Sequence, residues 1–335
     1  MIEECTPGAP PCRGPAIASE LIGAHPWRQL AIGVPLGLVA ASVAGATQLV
    51  YTFAFQAART WERALALPWP GQPLGMTLQI VAAIVVMRFV ANRIANRPVC
   101  EFSREKAGRE LAVGALIGAG VIGAAMLALA ALGVYEVVGT AFDRSLSVHD
   151  DISGTLALGR GLLSGLMLGL GSAFGEEVVM RGILLRILAG KFGTLPALTV
   201  TSVAFGLLHL GNPHVSVIGA LGVAIQAGLL FGVAYLATRR LWLAIGMHAA
   251  WNFTQTAIFD LNVSGVSTES SLLIVVVHGP DWLSGGGIGV EGSILTIGFG
   301  LIVCGALALV ARRRREIGAG HAALLRKRLF LRRSR

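Results

Sequence analysis

Six side chains within apolar segments can move protons, carry charge or donate hydrogen bonds. They are Glu176, Glu177 and Arg181 in "EEVVMR", His209 at the end of "FGLLH", and His248 and Asn252 in "HAAWN". A charge at the centre of a bilayer costs about 2.5–3.5 kcal/mol on insertion scales, so each needs an offsetting partner. Glu177 and Arg181 stand at i,i+4 and share a helix face, which reads as a structural ion pair. Glu176 lies about 100° around the helix, and its own i+4 residue, Met180, cannot neutralise it. It therefore needs a partner on another helix or a wet cavity. His248 and Asn252, again at i,i+4, present two polar groups together. Asn212 and His214 follow closely on His209 in "LGNPH".

At 1.5 Å per residue, Glu176 lies about 16 Å, His209 about 21 Å and His248 about 10 Å from the inner ends of their segments. All three fall near the middle of a hydrocarbon core about 30 Å thick, which allows one shared site. A carboxylate in a poorly solvated place is a better general base near neutral pH. It can take a proton from water, so that hydroxide attacks a peptide carbonyl. An imidazole N–H and an asparagine amide then supply donors to the tetrahedral oxyanion. The same residues allow an alternative, in which Glu176, His209 and His248 hold Zn2+ with water as fourth ligand. The HExxH spacing of soluble zinc proteases is absent.

Positioning these groups takes several membrane helices. Of the 335 residues, 54% are hydrophobic and 13% charged, with a mean hydropathy of +0.71, against about 25% charged in soluble domains. Apolar runs cover 29–56, 74–96, 111–138, 156–188, 195–211, 215–238, 241–260 and 293–311. The fold class expected is all-α, a polytopic membrane bundle of about eight spans. With the N-terminus inside, the inner connections hold Arg88 to Arg109, Arg186, Lys191, Arg239, Arg240 and the basic tail. The outer ones hold Asp143, Asp150, Asp151, Glu269, Asp281 and Glu291, with few basic residues (Arg59, Arg63, Arg144 and Arg160). The positive-inside rule then puts both ends in the cytoplasm. The domains expected are a tail over 1–28, a membrane domain over 29–311 and a basic tail over 312–335.

The formal charge of +9 is concentrated, with ten of the 27 basic residues beyond the last apolar run. That reads as an orientation signal attracted to anionic lipid. No nucleic-acid recognition motif accompanies it, so nucleic acid is not an expected partner. Cys5, Cys12, Cys100 and Cys304 form no metal-ligand spacing, and a cytoplasmic N-terminus argues against a Cys5–Cys12 bridge. The first apolar run is too long for a signal-peptide core and reads as a retained helix. The 44 glycines, dense in "ALIGAGVIGAA" and "LGLGSAFG", read as close helix packing. The stretch "GPDWLSGGGIGVEGS" reads as a turn.

The ordered trio EExxxR, FxxxH and HxxxN resembles the CPBP family, the CAAX protease and bacteriocin-processing intramembrane proteases, over about 156–260. Glu176, Glu177 and Arg181, then Phe205 and His209, then His248 and Asn252 carry the resemblance. It implies a membrane-embedded endopeptidase acting on a peptide or membrane protein; the eukaryotic branch trims prenylated CAAX proteins. By similarity Glu176 activates water with His209, and His248 and Asn252 stabilise the oxyanion. Glu177, Arg181 and Phe205 support them. No cofactor is required in that scheme, and Zn2+ belongs to the alternative. The Arg- and Ala-rich composition suggests a bacterial inner membrane. Two other classes compete: a non-catalytic scaffold or bacteriocin-immunity protein, and an ion-coupled transporter, disfavoured because no paired repeat halves are visible.

Overall fold

In hydrocarbon no water caps an exposed amide, so a spanning segment must satisfy its own backbone, and the helix does so. The computed structural model describes residues 22–55, 71–143, 154–266 and 271–313. Cys5 and Cys12, the loop residues Arg59, Arg63, Arg144, Asp150, Asp151 and Glu269, and the tails through 21 and from 314 lie outside them.

The chain runs α1 (Pro26–Ala41), α2 (Val43–Phe55), α3 (Gly71–Phe89), α4 (Ala107–Ala131), β1 (Tyr135–Thr140) and α5 (Gly154–Glu177). It continues as α6 (Arg186–Phe192), α7 (Thr194–His209), α8 (Val217–Val223), α9 (Leu229–Thr238) and α10 (Trp242–Phe253). β2 (Leu273–Val277), α11 (Asp281–Ser284) and α12 (Ile294–Arg313) complete it. The π-helical stretches Val90–Ile94, Val178–Leu185, Ala224–Gly228 and Thr254–Ile258 continue or join these helices.

This is an all-α polytopic membrane bundle. Helix occupies each of the eight apolar runs, but among the described residues six helices are of spanning length: Pro26–Tyr51, Gly71–Ile94, Ala107–Ala131, Leu158–Phe192, Val217–Thr238 and Ile294–Arg313. The other two, α7 and α10 with its π turn, are shorter. They carry His209 and His248.

One boundary differs from expectation. The run 111–138 stops being helical at Ala131, because Gly133 takes φ 70° and closes the helix. The N–H of Val134 donates to Leu129 and that of Gly133 to Ala130, both at 2.9 Å, a glycine-terminated cap that satisfies end carbonyls. The β-branched "YEVVGT" beyond it pairs antiparallel with "LIVVV", Tyr135 opposite Val277.

Glycine sets the central contact. A Cβ on Gly118 would strike the Met247 carbonyl, and one on Gly114 the Leu243 carbonyl, so α4 lies backbone-to-backbone on α10. Small residues allow such approach between membrane helices. α10 is thereby held at the middle of the bundle, with His248 and Asn252 buried.

Candidate functional site

Two helix ends build the site. α5 ends at Glu177, where the π stretch Val178–Leu185 begins. α7 ends at His209, and the chain then turns non-helically through Asn212. Irregular backbone at membrane depth is tolerated where it borders a cavity, and π-bulges recur at functional positions. A cavity of about 190 Å³ lies here, lined by Glu176, Val179, Met180, Phe205, Leu208, His209 and Asn212, with Leu38, Ala41 and Ser42 from the first span.

Glu176 faces that cavity with its side chain 30% exposed. Its Oε2 is nevertheless buried without a hydrogen bond, and its nearest cation partner is His248 Nε2 at 3.9 Å. Glu177 turns inward and is fully buried. Its Oε1 accepts from Arg181 Nη1 at 2.9 Å and pairs with His248 Nδ1 at 3.0 Å. The expected i,i+4 pair is therefore present, and it has a second task, because a carboxylate on Nδ1 fixes the orientation and tautomer of an imidazole.

Arg181 is tied further. Its Nη2 donates to the carbonyls of Ala227 and Gly228 at 3.0 and 3.1 Å, where the π stretch Ala224–Gly228 meets α9. Its guanidinium also lies 4.7 Å from the Phe205 ring centre. His248 stacks on Phe231 at 4.9 Å. Phe205, which the motif marks, therefore serves as a face for Arg181 and for His209, 4.7 Å away.

His209 Nδ1 donates to the Phe205 carbonyl at 2.7 Å, since a carbonyl can only accept. In the neutral ring Nε2 is then left as an acceptor. Asn252 donates to Ser172 Oγ at 2.8 Å, and Ser172 lies one turn before Glu176. Glu176 and His209 thus share the cavity wall, while His248 and Asn252 are not among its lining residues. His214 does not join them, and it takes φ 60° in the turn after Asn212.

Among the described residues no group of three His, Cys, Asp or Glu side chains is arranged to hold a metal ion. Glu176, His209 and His248 as they stand do not fit a zinc set.

Two contributors escaped sequence reasoning, and a third, Asn212, stands out in "LGNPH" without a role there; it lines the cavity and donates to the Ser264 carbonyl at 3.0 Å. Ser172 had only its i−4 relation to Glu176. Glu291 had none: the 279–293 stretch folds through α11 and two 3₁₀ turns and buries Glu291, whose Oε2 accepts from Trp251 Nε1 at 3.2 Å.

Residues 159–254 match the family model for the type II CAAX prenyl endopeptidase Rce1-like family. No curated protein and no solved structure matches the chain. The matched segment runs from α5 through α10 and contains every motif residue from Glu176 to Asn252. The chain is an integral membrane protein whose residues 159–254 are similar to the Rce1-like, type II CAAX prenyl endopeptidase family.

Proposed function

We propose that the protein is an intramembrane endopeptidase in which Glu176 activates water against a peptide carbonyl. The observation that carries this reading is the half-open setting of Glu176, a carboxylate on a cavity wall beside His209 with one oxygen still unpartnered. Water at that wall gives one proton to Glu176 and a hydrogen bond to the accepting Nε2 of His209. The hydroxide so formed attacks the carbonyl, and the proton passes from Glu176 to the departing amine.

His248 supports the developing oxyanion through Nε2, which donates only when the ring is doubly protonated, with Glu177 across the ring as counter-charge. Asn252 has one amide proton on Ser172 and a second for the oxyanion. Glu177 and Arg181 are positioning residues that hold His248 against α9. The substrate is a peptide or membrane protein reached within the bilayer. The charge separation between connections supports both ends lying in the cytoplasm of a bacterial cell, and a reporter fused to each end tests it.

The activity test is a survey of new peptide termini in membranes of cells making wild type or Glu176→Ala at equal levels. Termini that vanish with Glu176→Ala are expected. Identical surveys from two properly inserted proteins would move the scaffold reading ahead.

A further inference from the structure

Glu291 differs from the other buried acids of the bundle. Glu101, Glu110 and Glu177 each face an arginine. Among the described residues Glu291 meets only neutral groups. Its Oε2 accepts from Trp251 Nε1 at 3.2 Å and from Gln255 Nε2 at 3.4 Å, and its backbone carbonyl accepts from Gln226 Nε2 at 3.2 Å. Buried charges are ordinarily paired or bound to a metal ion.

The same three side chains leave three oxygens over. Oε1 of Glu291, of Gln255 and of Gln226 is in each case buried without a hydrogen bond, in residues that are 4%, 0% and 1% exposed. The free atoms of the two amides have to be the oxygens. Turning either amide over would set its oxygen against the Glu291 carboxylate or carbonyl, where only a donor is tolerated. Gln226 and Gln255 both lie in π stretches, Ala224–Gly228 and Thr254–Ile258, a form of helix that recurs at functional positions.

Glycine leaves room beside the free oxygens. A Cβ on Gly289 would lie 3.5 Å from Gln255 Oε1, and one on Gly300 would lie 3.6 Å from Gln226 Oε1. A water could donate to two of the oxygens, but it would leave the carboxylate charge unopposed. A hard cation accepts carboxylate and amide oxygens together. One carboxylate balances one positive charge, and a divalent ion would leave an uncompensated charge in a dry place.

We infer that Glu291, Gln255 and Gln226 bind a monovalent hard cation of the sodium type, which ties the 285–292 turns to α10 and to the π stretch Ala224–Gly228. None of the three lines the cavity of Glu176 and His209, and Gln255 and Glu291 lie beyond residues 159–254. The site stands whether or not the chain cleaves a peptide.

The test follows unfolding of the full chain in detergent while N-methylglucamine chloride is exchanged for sodium chloride. Ionic strength is held constant, so screening of surface charges does not change. The wild-type midpoint is expected to rise with sodium, each tenfold increase above the dissociation constant raising the folded-to-unfolded ratio by about tenfold. Potassium, calcium and magnesium chlorides at the same ionic strength give smaller rises. Glu291→Gln keeps an acceptor for Trp251 and unfolds close to wild type without sodium, but it loses the rise, as does Gln255→Met. Tryptophan emission of the folded wild type changes over the same sodium range, because Trp251 is bonded to Glu291, and that change is absent in Glu291→Gln. A wild type indifferent to the exchange, an equal rise in Glu291→Gln, or a larger rise with calcium than with sodium overturns the site. Should Gln255→Met fail to fold, Glu291→Gln decides alone, since it alters the charge and keeps the shape.

Discussion

Two buried charge networks lie along the same long helix, and they are finished differently. At one, Glu101 accepts from Arg97 Nη1 and Nη2 at 3.0 and 2.6 Å and pairs with Arg186 Nε at 3.3 Å. Arg186 also donates to Gln29 at 2.7 Å and to the Gly182 carbonyl at 2.6 Å. Both carboxylate oxygens of Glu101 are used. At the candidate site, Oε2 of Glu176 and Oε2 of Glu177 are buried without a hydrogen bond. Buried polar groups are nearly always satisfied, so an exception calls for a role. The Glu101 network joins α1, the 97–101 turn and α6 as an anchor. At the candidate site, Oε2 of Glu176 is the acceptor that the proposed function gives to water.

The comparison breaks most sharply at its two carboxylates. Glu176→Ala is expected to cut cleavage by about 10²–10⁴, the range of one acid–base group, while thermal unfolding in detergent stays near wild type. Glu101→Ala is expected to do the reverse. Leaving Arg186 buried without its carboxylate costs about 3–5 kcal/mol, seen as a lower unfolding midpoint, with cleavage per folded molecule retained. If Glu101→Ala unfolds no more easily than wild type, the Glu101 network is not an anchor.

Glu177→Gln sharpens the boundary between them, since Glu177 is buried like Glu101 but touches His248. The amide keeps an oxygen for His248 and removes the charge facing Arg181, which still holds the Ala227 and Gly228 carbonyls. The expected loss is about 1–3 kcal/mol of stability, with a smaller fall in turnover than for Glu176→Ala. Normal stability with abolished turnover would transfer the base role from Glu176 to Glu177.

What could be read in the sequence follows from how local each cost is. A charge in an apolar run is expensive wherever it points, so Glu176, Glu177, Arg181, His209 and His248 announced themselves. The Glu177–Arg181 pair was legible because one helix turn defines it. The glycines of α4 were legible as packing, but not that Gly118 packs on Met247, because that choice belongs to the partner helix. The π stretch at Val178–Leu185 left no signature in residue type, because the widened turn is a property of the backbone. Leu38, Ala41 and Ser42 look like any lipid-facing stripe until the cavity beside them is seen, and of the two shortened helices only the run 195–211 was short in the sequence.

Glu291 gives the smallest effect and tests how far the site extends. It sits on the 285–292 turns, where Gly285 and Gly289 take φ 94° and 104°, and its backbone carbonyl accepts from Gln226 at 3.2 Å. Gln226 belongs to the π stretch adjoining the carbonyls that hold Arg181. Trp251, bonded to Glu291, meets Phe231 edge-on at 6.0 Å, and Phe231 stacks on His248. Glu291→Gln keeps an acceptor for Trp251 Nε1, so it should cost about 0.5–1.5 kcal/mol and lower turnover slightly at unchanged KM. Glu291→Leu loses that acceptor and should lower turnover more than Glu291→Gln does. If the two variants match in unfolding midpoint and turnover, the Trp251 hydrogen bond does not orient the rings behind His248, and the site network ends at Phe231.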